Sequence, residues 1–353
     1  MENRVRYSGI DVCKFIMALL VVWAHTSPLY GINNTLNFLT CNVICRITVP
    51  FFFAATGFLL ERQILYRKYE NPVKPEAGPL QVISKYLRKV LELYLLWSLI
   101  YLPVIIWDKF IDSEDTLLRC IFMEVRDFVF VGSYSHLWYL LAVAVGVILV
   151  YILRKYLGES MTAGILLILF CMGLLTQSYF GLFEKAVSAD GIVWQVMTVV
   201  KKVMVTCRNG VFFGGIFIYM GTWMARHNRK VSAWKAGVGL GISILLFVVE
   251  AGYLFQNGYV REQDMFLMQL PCAFFLMLVA IWLPVKADTF FLRKMSMNIY
   301  YVHLYFKFIY RKLLQDDSGS NVGLFLFVLA GALLTSYIIY RVDGSRKVGK
   351  VKK

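Results

Sequence analysis

Charge is scarce in this chain. Only 17% of the 353 residues are Asp, Glu, Lys or Arg, where soluble domains carry roughly 25%. No soluble core needs the 59% hydrophobic content found over this length. Alternating runs of about ten residues, the mark of a transmembrane barrel, are missing. Instead, the apolar segments are long and continuous. Metal and redox spacings are missing as well. The seven cysteines, Cys13, Cys41, Cys45, Cys120, Cys171, Cys207 and Cys272, include no CxxC pair and no Cys/His ligand set. They read as small core residues, and no metal is expected. A Gly-rich phosphate loop is also lacking. The glycines at 210, 214, 215 and 221, and at 237, 239 and 241, fit close helix packing instead. No internal repeat or low-complexity segment stands out. A cleavable leader is not expected, because the first apolar run is too long, carries internal charge and lacks a small-residue cleavage pattern.

What is present defines an all-α, polytopic helical membrane protein. Apolar runs predict about ten transmembrane helices, over 8–27, 42–60, 88–107, 136–153, 161–178, 208–225, 235–254, 265–284, 295–311 and 322–341. One transmembrane domain over 1–343 and a basic tail over 344–353 are expected, with no appended soluble domain. The net charge of +15 does not call for nucleic acid. In a membrane protein, Lys and Arg gather on cytoplasmic loops beside anionic headgroups. Arg62, Arg67, Lys68, Lys74, Lys85, Arg88 and Lys89 share one loop, and Arg154–Lys155, Arg226, Arg229, Lys230 and Lys235 follow the same parity. The loop from Asp108 to Ser135, of opposite parity, is rich in acids. Both termini are therefore expected in the cytoplasm. The loop from Glu61 to Pro79 reads as turn-rich, with Pro72, Pro75, Gly78 and Pro79.

The first apolar run, GIDVCKFIMALLVVWAHTSP, holds Asp11, Lys14 and His25. An ionisable group at mid-bilayer costs roughly 2.5–3.5 kcal/mol on insertion scales, so it marks function more often than accident. Eleven residues of helix rise roughly 16 Å, about half of the hydrocarbon core. Lys14 and His25 thus sit at different depths and take different roles. Asp11 and Lys14, three apart, either pair on one helix face or leave Lys14 for an anionic ligand, with Arg6 a second contact at the mouth.

The predicted directions of the spans carry His25, Arg46, His136, Arg208 and Glu250 to the outer half, with His303 slightly deeper. A histidine takes a proton from a hydroxyl near neutral pH. Arg and Asn hold an oxyanion, and a carboxylate orients a His or balances an Arg. Each has a structural alternative. Arg46 and Arg208 fit interfacial snorkelling, and His136 with Trp138 and Tyr139 fits an aromatic belt. Glu250 fits a partner for an Arg, and His303 fits a packing hydrogen bond.

These residues resemble the acyltransferase 3 family of integral membrane acyltransferases. Its first-span signature is Arg or Lys, ten residues, then His, as in Lys14 and His25. Its second-span Arg followed by Pro-Phe-Phe and Gly resembles Arg46 with Pro50, Phe51, Phe52 and Gly57. His136-Leu137-Trp138-Tyr139-Leu140 is similar to its HLWFL block, and Ser296 through Tyr300 to His303 to its late Ser, Ile-Tyr and His segment. The resemblance implies acyl transfer from cytoplasmic acyl-CoA, usually acetyl-CoA, to a hydroxyl of an extracytoplasmic or lipid-linked glycan. It implies His25 as the catalytic residue, supported by Arg46, and Lys14 for the coenzyme A phosphates; the residues themselves add Glu250 to orient or balance charge at the catalytic site and Arg6 as a second phosphate contact. His136, Trp138, Tyr139, Arg208, Asn209, Tyr253 and His303 become candidate substrate contacts. A bacterial plasma membrane is the expected location.

Lys14-Phe15 stands where many members have Arg-Gly. IDVCKFI through HTSP, Arg208-Asn209-Gly210 and Glu250-Ala251-Gly252-Tyr253 look closer to the membrane domain of vancomycin-resistance serine racemases. That likeness implies serine uptake, so a small-solute transporter remains the alternative, with Arg46 on a carboxylate and Glu250 on an amine. No racemase-like soluble part is recognised in these residues, and racemisation is not expected of them.

Overall fold

The computed structural model describes residues 7–69, 78–111, 114–188, 191–227, 231–314 and 321–351. Every regular element among them is helical, and the protein is an all-α, multi-pass membrane protein. Six stretches are long and apolar enough to cross a bilayer: Ser8–Thr26, Asn34–Tyr66, Pro79–Ile111, Trp138–Thr176, Ala233–Gln256 and Val322–Asp343. The predicted spans over 208–225, 265–284 and 295–311 are helical too, but shorter or more polar. Arg6, Pro72, Pro75, Lys74, Asp112, Arg229, Lys230 and the last two residues of the basic tail lie outside the described residues.

The chain forms two compact units. The first holds Met1–Thr48, Val231–Leu240 and Phe275–Lys353. Its core is α1 (Ser8–Thr26), α12 (Phe290–Leu314) and α13 (Val322–Val351), which pack on one another. Buried Ile10, Cys13, Met17, Ala18, Val21 and Val22 recur at three- and four-residue spacing along α1, the stripe that faces a helical neighbour. α1 stops just after His25 for a local reason. Ser27 takes a left-handed conformation (φ 41°) and its N–H returns to the Trp23 carbonyl. Pro28 then prevents continuation. A short helix, α2 (Asn34–Phe38), follows, begun by Asn33, whose side chain accepts from the Leu36 N–H. Wider and tighter turns over Leu39–Ile44 and Cys45–Ile47 lead into α3 (Thr48–Tyr69). Helix therefore continues well into the region expected to be a turn-rich loop.

The second unit holds Val49–Lys230 and Gly241–Phe274. It contains most of α3, then α4 (Pro79–Ile106), α5 (Leu117–Phe130), α6 (Trp138–Thr176), α7 (Phe180–Ala186), α8 (Ile192–Met204) and α9 (Gly215–Arg226). α10 (Ala233–Gln256) and α11 (Gln269–Trp282) contribute to both units. Between helices in lipid, close backbone approach replaces the hydrophobic driving force. A Cβ on Gly57 would run into the Ile218 carbonyl, and one on Gly221 into the Ala54 carbonyl, so α3 and α9 cross at two glycines. Gly210, Gly214 and Gly215 sit at similarly tight contacts, and Gly239 lies against Phe275. Gly237 and Gly241 have open space, so packing does not explain those two. Gly158 leaves helical geometry (φ 75°), in the turn expected between the fourth and fifth spans. α5 exposes Leu118, Phe122, Val125 and Val129 at helical spacing, an apolar stripe of the kind that suits contact with lipid.

Candidate functional site

The first unit brings together residues from α1 and α12. The His25 and His303 rings lie 5.2 Å apart between centroids. Lys307 Nζ donates to the His25 carbonyl at 2.6 Å, fixing the last turn of α1 to α12. His303 is fully buried, and its Nδ1 lies 2.8 Å from the Tyr300 carbonyl and 3.1 Å from that of Ile299. Those acceptors assign the ring proton to Nδ1, leaving Nε2 as the basic nitrogen. His25 itself is half-buried. Trp23 packs edge-on to Phe325 of α13 at 5.0 Å. Arg46 lies on the tight turn Cys45–Ile47, which packs on α1. Lys307 was missed in the sequence, although it meets the criterion that singled out Lys14, an ionisable group inside an apolar run.

At the other end of α1, Asp11 is buried and accepts from Thr289 Oγ1 at 2.9 Å. It therefore does not close the ion pair with Lys14 that their spacing allowed, although its charge still acts on Lys14, as does that of Arg293. No described group accepts a hydrogen bond from Lys14. One continuous helix thus carries a half-buried histidine at one end and, towards the other, a lysine with no acceptor among the described residues.

The second unit handles its candidates differently. Arg208 stacks over the Trp138 ring at 4.8 Å and pairs with Asp264 at 3.3 Å. Trp138 is buried and also stacks on Phe213, so its faces are occupied by protein. Tyr139 packs on Phe53 at 4.8 Å, with its hydroxyl 3.5 Å from Thr56 Oγ1. His136 is buried against Tyr101 at 4.9 Å. Asn209 is a cap. Its Oδ1 accepts from Val211 and Phe212 N–H, and its Nδ2 donates to the Thr206 carbonyl. Asn before the first turn of a helix is a strong start signal, and it accounts for this residue without a ligand.

Glu250 accepts from Tyr179 Oη at 2.7 Å, Leu267 N at 2.6 Å and Met268 N at 2.8 Å. Burial and this neighbouring carboxylate push the Tyr179 phenol up, which keeps it protonated as the donor. The two amides lie just before α11, where a carboxylate also meets the positive end of the helix dipole. Tyr253, three residues on, is exposed and packs on Tyr259 at 6.0 Å. Arg208 and Glu250 therefore grip one segment, Asp264–Met268, from two directions. Ser178 Oγ donates to the Met265 carbonyl within the same grip. Replacing either Glu250 or Asp264 by Ala should lower thermal stability, Glu250 more, because a hydrogen bond to a charged group contributes roughly 1.5–3 kcal/mol. The double variant should lose less than the sum of the two, since both hold one segment. Strict additivity in melting experiments would show two independent anchors instead.

Comparison with known proteins agrees with this helical, membrane-embedded arrangement. A family model described as an acyltransferase domain matches residues 7–341. An amino-acid racemase of Enterococcus faecalis is 29% identical over 287 residues, covering 79% of this chain and 38% of that protein. A second from the same organism is 31% identical over 234 residues, covering 65% of this chain and 30% of that protein. A serine/alanine racemase of Enterococcus gallinarum is 27% identical over 288 residues, covering 80% and 38%. The chain thus spans well under half the length of these relatives. No solved structure matches significantly. The match over nearly the whole chain shows that this protein belongs to the acyltransferase 3 family of membrane acyltransferases.

Proposed function

We propose that the protein transfers an acetyl group from cytoplasmic acetyl-CoA to a hydroxyl of an extracytoplasmic or lipid-linked glycan, in a bacterial plasma membrane. The observation that carries this reading is the polarity of α1, with His25 against His303 at one end and Lys14, which has no acceptor among the described residues, towards the other. A lysine is a compact point charge for phosphate, and the Arg293 charge acts in the same region. Both suit the phosphate end of coenzyme A. Arg6 would add to this site from outside the described residues.

In the reaction, His25 accepts the proton of the acceptor hydroxyl as its oxygen bonds to the thioester carbonyl carbon. The carbon–sulfur bond then breaks, and the proton passes to the departing thiolate. The products are an O-acetyl ester and free coenzyme A. Arg46 is the favoured oxyanion donor, since Asn209 is consumed as a cap and Arg208 is tied to Asp264. His303 and Lys307 act through His25 as positioning residues. Glu250 supports the Asp264–Met268 segment rather than the reacting atoms. His136, Trp138, Tyr139 and Tyr253 shape aromatic packing; any sugar contact from them is secondary.

A second reading, passage of a serine-like amino acid, rests on the relatives named serine/alanine and amino-acid racemase. It used Glu250 to hold the ammonium group, and three protein donors already occupy that carboxylate. Labelled acetyl-CoA given to purified protein with membrane glycan tests the first reading. Alkali-labile label on the glycan is expected, and coenzyme A release without labelled glycan would reject the acceptor class.

A further inference from the structure

The ends of α3, α4, α6 and α9 in the second unit line a half-open cavity of about 260 Å³ bordered by Glu61, Tyr151, Arg154, Lys155, Glu159 and Arg226. Its charges are three cations against two carboxylates. Glu61 is buried, 4% exposed, and accepts from Arg154 Nη1 at 3.1 Å and Arg226 Nε at 2.5 Å. One carboxylate thus sets two guanidinium groups side by side. Glu159 follows the left-handed break at Gly158 and is held loosely. It lies 3.8 Å from Arg154, 3.5 Å from Arg226 and 3.8 Å from His227, beyond the roughly 2.7–2.9 Å of a charge-assisted hydrogen bond. Lys155 rests over the Tyr156 ring at 5.1 Å and has no carboxylate partner among the described residues.

We propose that this cavity is a phosphate-ester site, in which Arg154, Lys155 and Arg226 hold the phosphate and Glu159 is the anion it displaces. Two fixed guanidinium forks and one ammonium match a tetrahedral, multiply charged oxyanion. At about 30 Å³ of liquid per water, the volume accommodates a phosphate group and part of its ester. The positive-inside rule assigns this end to the cytoplasm, where two sources share the chemistry, coenzyme A and an anionic phospholipid headgroup. The site goes beyond the acyl-transfer reading, since a headgroup fills it whether or not transfer occurs.

This chain in phosphatidylcholine nanodiscs, titrated with coenzyme A by calorimetry, tests the first source. Nanodiscs doped with phosphatidylglycerol, read by native mass spectrometry for retained lipid, test the second. At least one probe should bind the wild type. Lys155→Met should weaken it roughly tenfold, the loss of one charge-assisted contact. Glu159→Gln should tighten it several-fold, with unchanged melting in both variants as the control for folding. The probe that responds identifies the source. The proposal is overturned if neither probe binds, if Lys155→Met binds like wild type, or if Glu159→Gln does not tighten. Coenzyme A binding lost in Lys14→Ala but unmoved in Lys155→Met would remove coenzyme A as the occupant and leave the acyl-transfer reading standing. Absent acyl transfer with phosphatidylglycerol shifted by both variants would do the reverse.

Discussion

Replacing His25 by Ala should lower acetyl turnover by about 10²–10⁴-fold, the contribution of a positioned general base. Folding should be little affected. The His25 side chain is half-buried, and the bond that fixes its turn runs from Lys307 to the His25 backbone carbonyl, which Ala retains. His25→Asn should fail nearly as badly, because it keeps a polar side chain but cannot take up a proton near neutral pH. Initial rates with saturating acetyl-CoA, alongside melting curves, check both. A turnover loss matched by unfolding would make His25 structural, and full activity in the Asn variant would remove it as the base.

The second large effect is on stability. Glu61→Ala should cost about 3–5 kcal/mol, the range for breaking a buried ion pair by removing one partner. The reason is the unequal exposure of the partners. Arg154 is 14% exposed and Glu61 4%, so Ala leaves a buried guanidinium with only the loose contact to Glu159. Glu61→Gln keeps an acceptor oxygen without the charge and should fall between. Thermal or denaturant unfolding of purified protein measures the ranking. Equal stability of Glu61→Ala and wild type would show that water already satisfies both arginines.

Much of the fold was legible because lipid imposes a simple rule. Long apolar runs must close their backbone hydrogen bonds internally, so they become helices, and the predicted runs are helical. The ends of α1 were legible as well, since Ser27-Pro28 punctuates the chain just past His25. The ionisable residues of α1 stood out against an apolar background, and their separation along one helix follows from its geometry. Other features depended on contacts between distant segments. Glu61 and Arg154 lie 93 residues apart, and charge parity alone made the arginines ordinary loop residues. Arg208 and Glu250 were read with both a ligand role and a structural one open, and the segment they both hold, Asp264–Met268, has amides that cannot be seen in side-chain chemistry. The capping role of Asn209 was readable from the sequence. Asn-Gly ahead of an apolar run is a helix start, and the adjacent Arg208 drew attention to ligand binding instead. Of the two alternatives that the Asp11 and Lys14 spacing left open, the ion pair is not formed, and Asp11 takes Thr289, from the far end of the chain, as its partner.

The central claim, that the His25 end of α1 serves acyl transfer, is tested most directly by one preparation assayed two ways. Proteoliposomes containing the protein and membrane glycan receive acetyl-labelled coenzyme A, and matched vesicles preloaded with serine receive labelled serine. The account predicts alkali-labile acetyl on the glycan, loss of that signal with His25→Ala, and no serine counterflow. Serine counterflow with no acetyl transferred would contradict it.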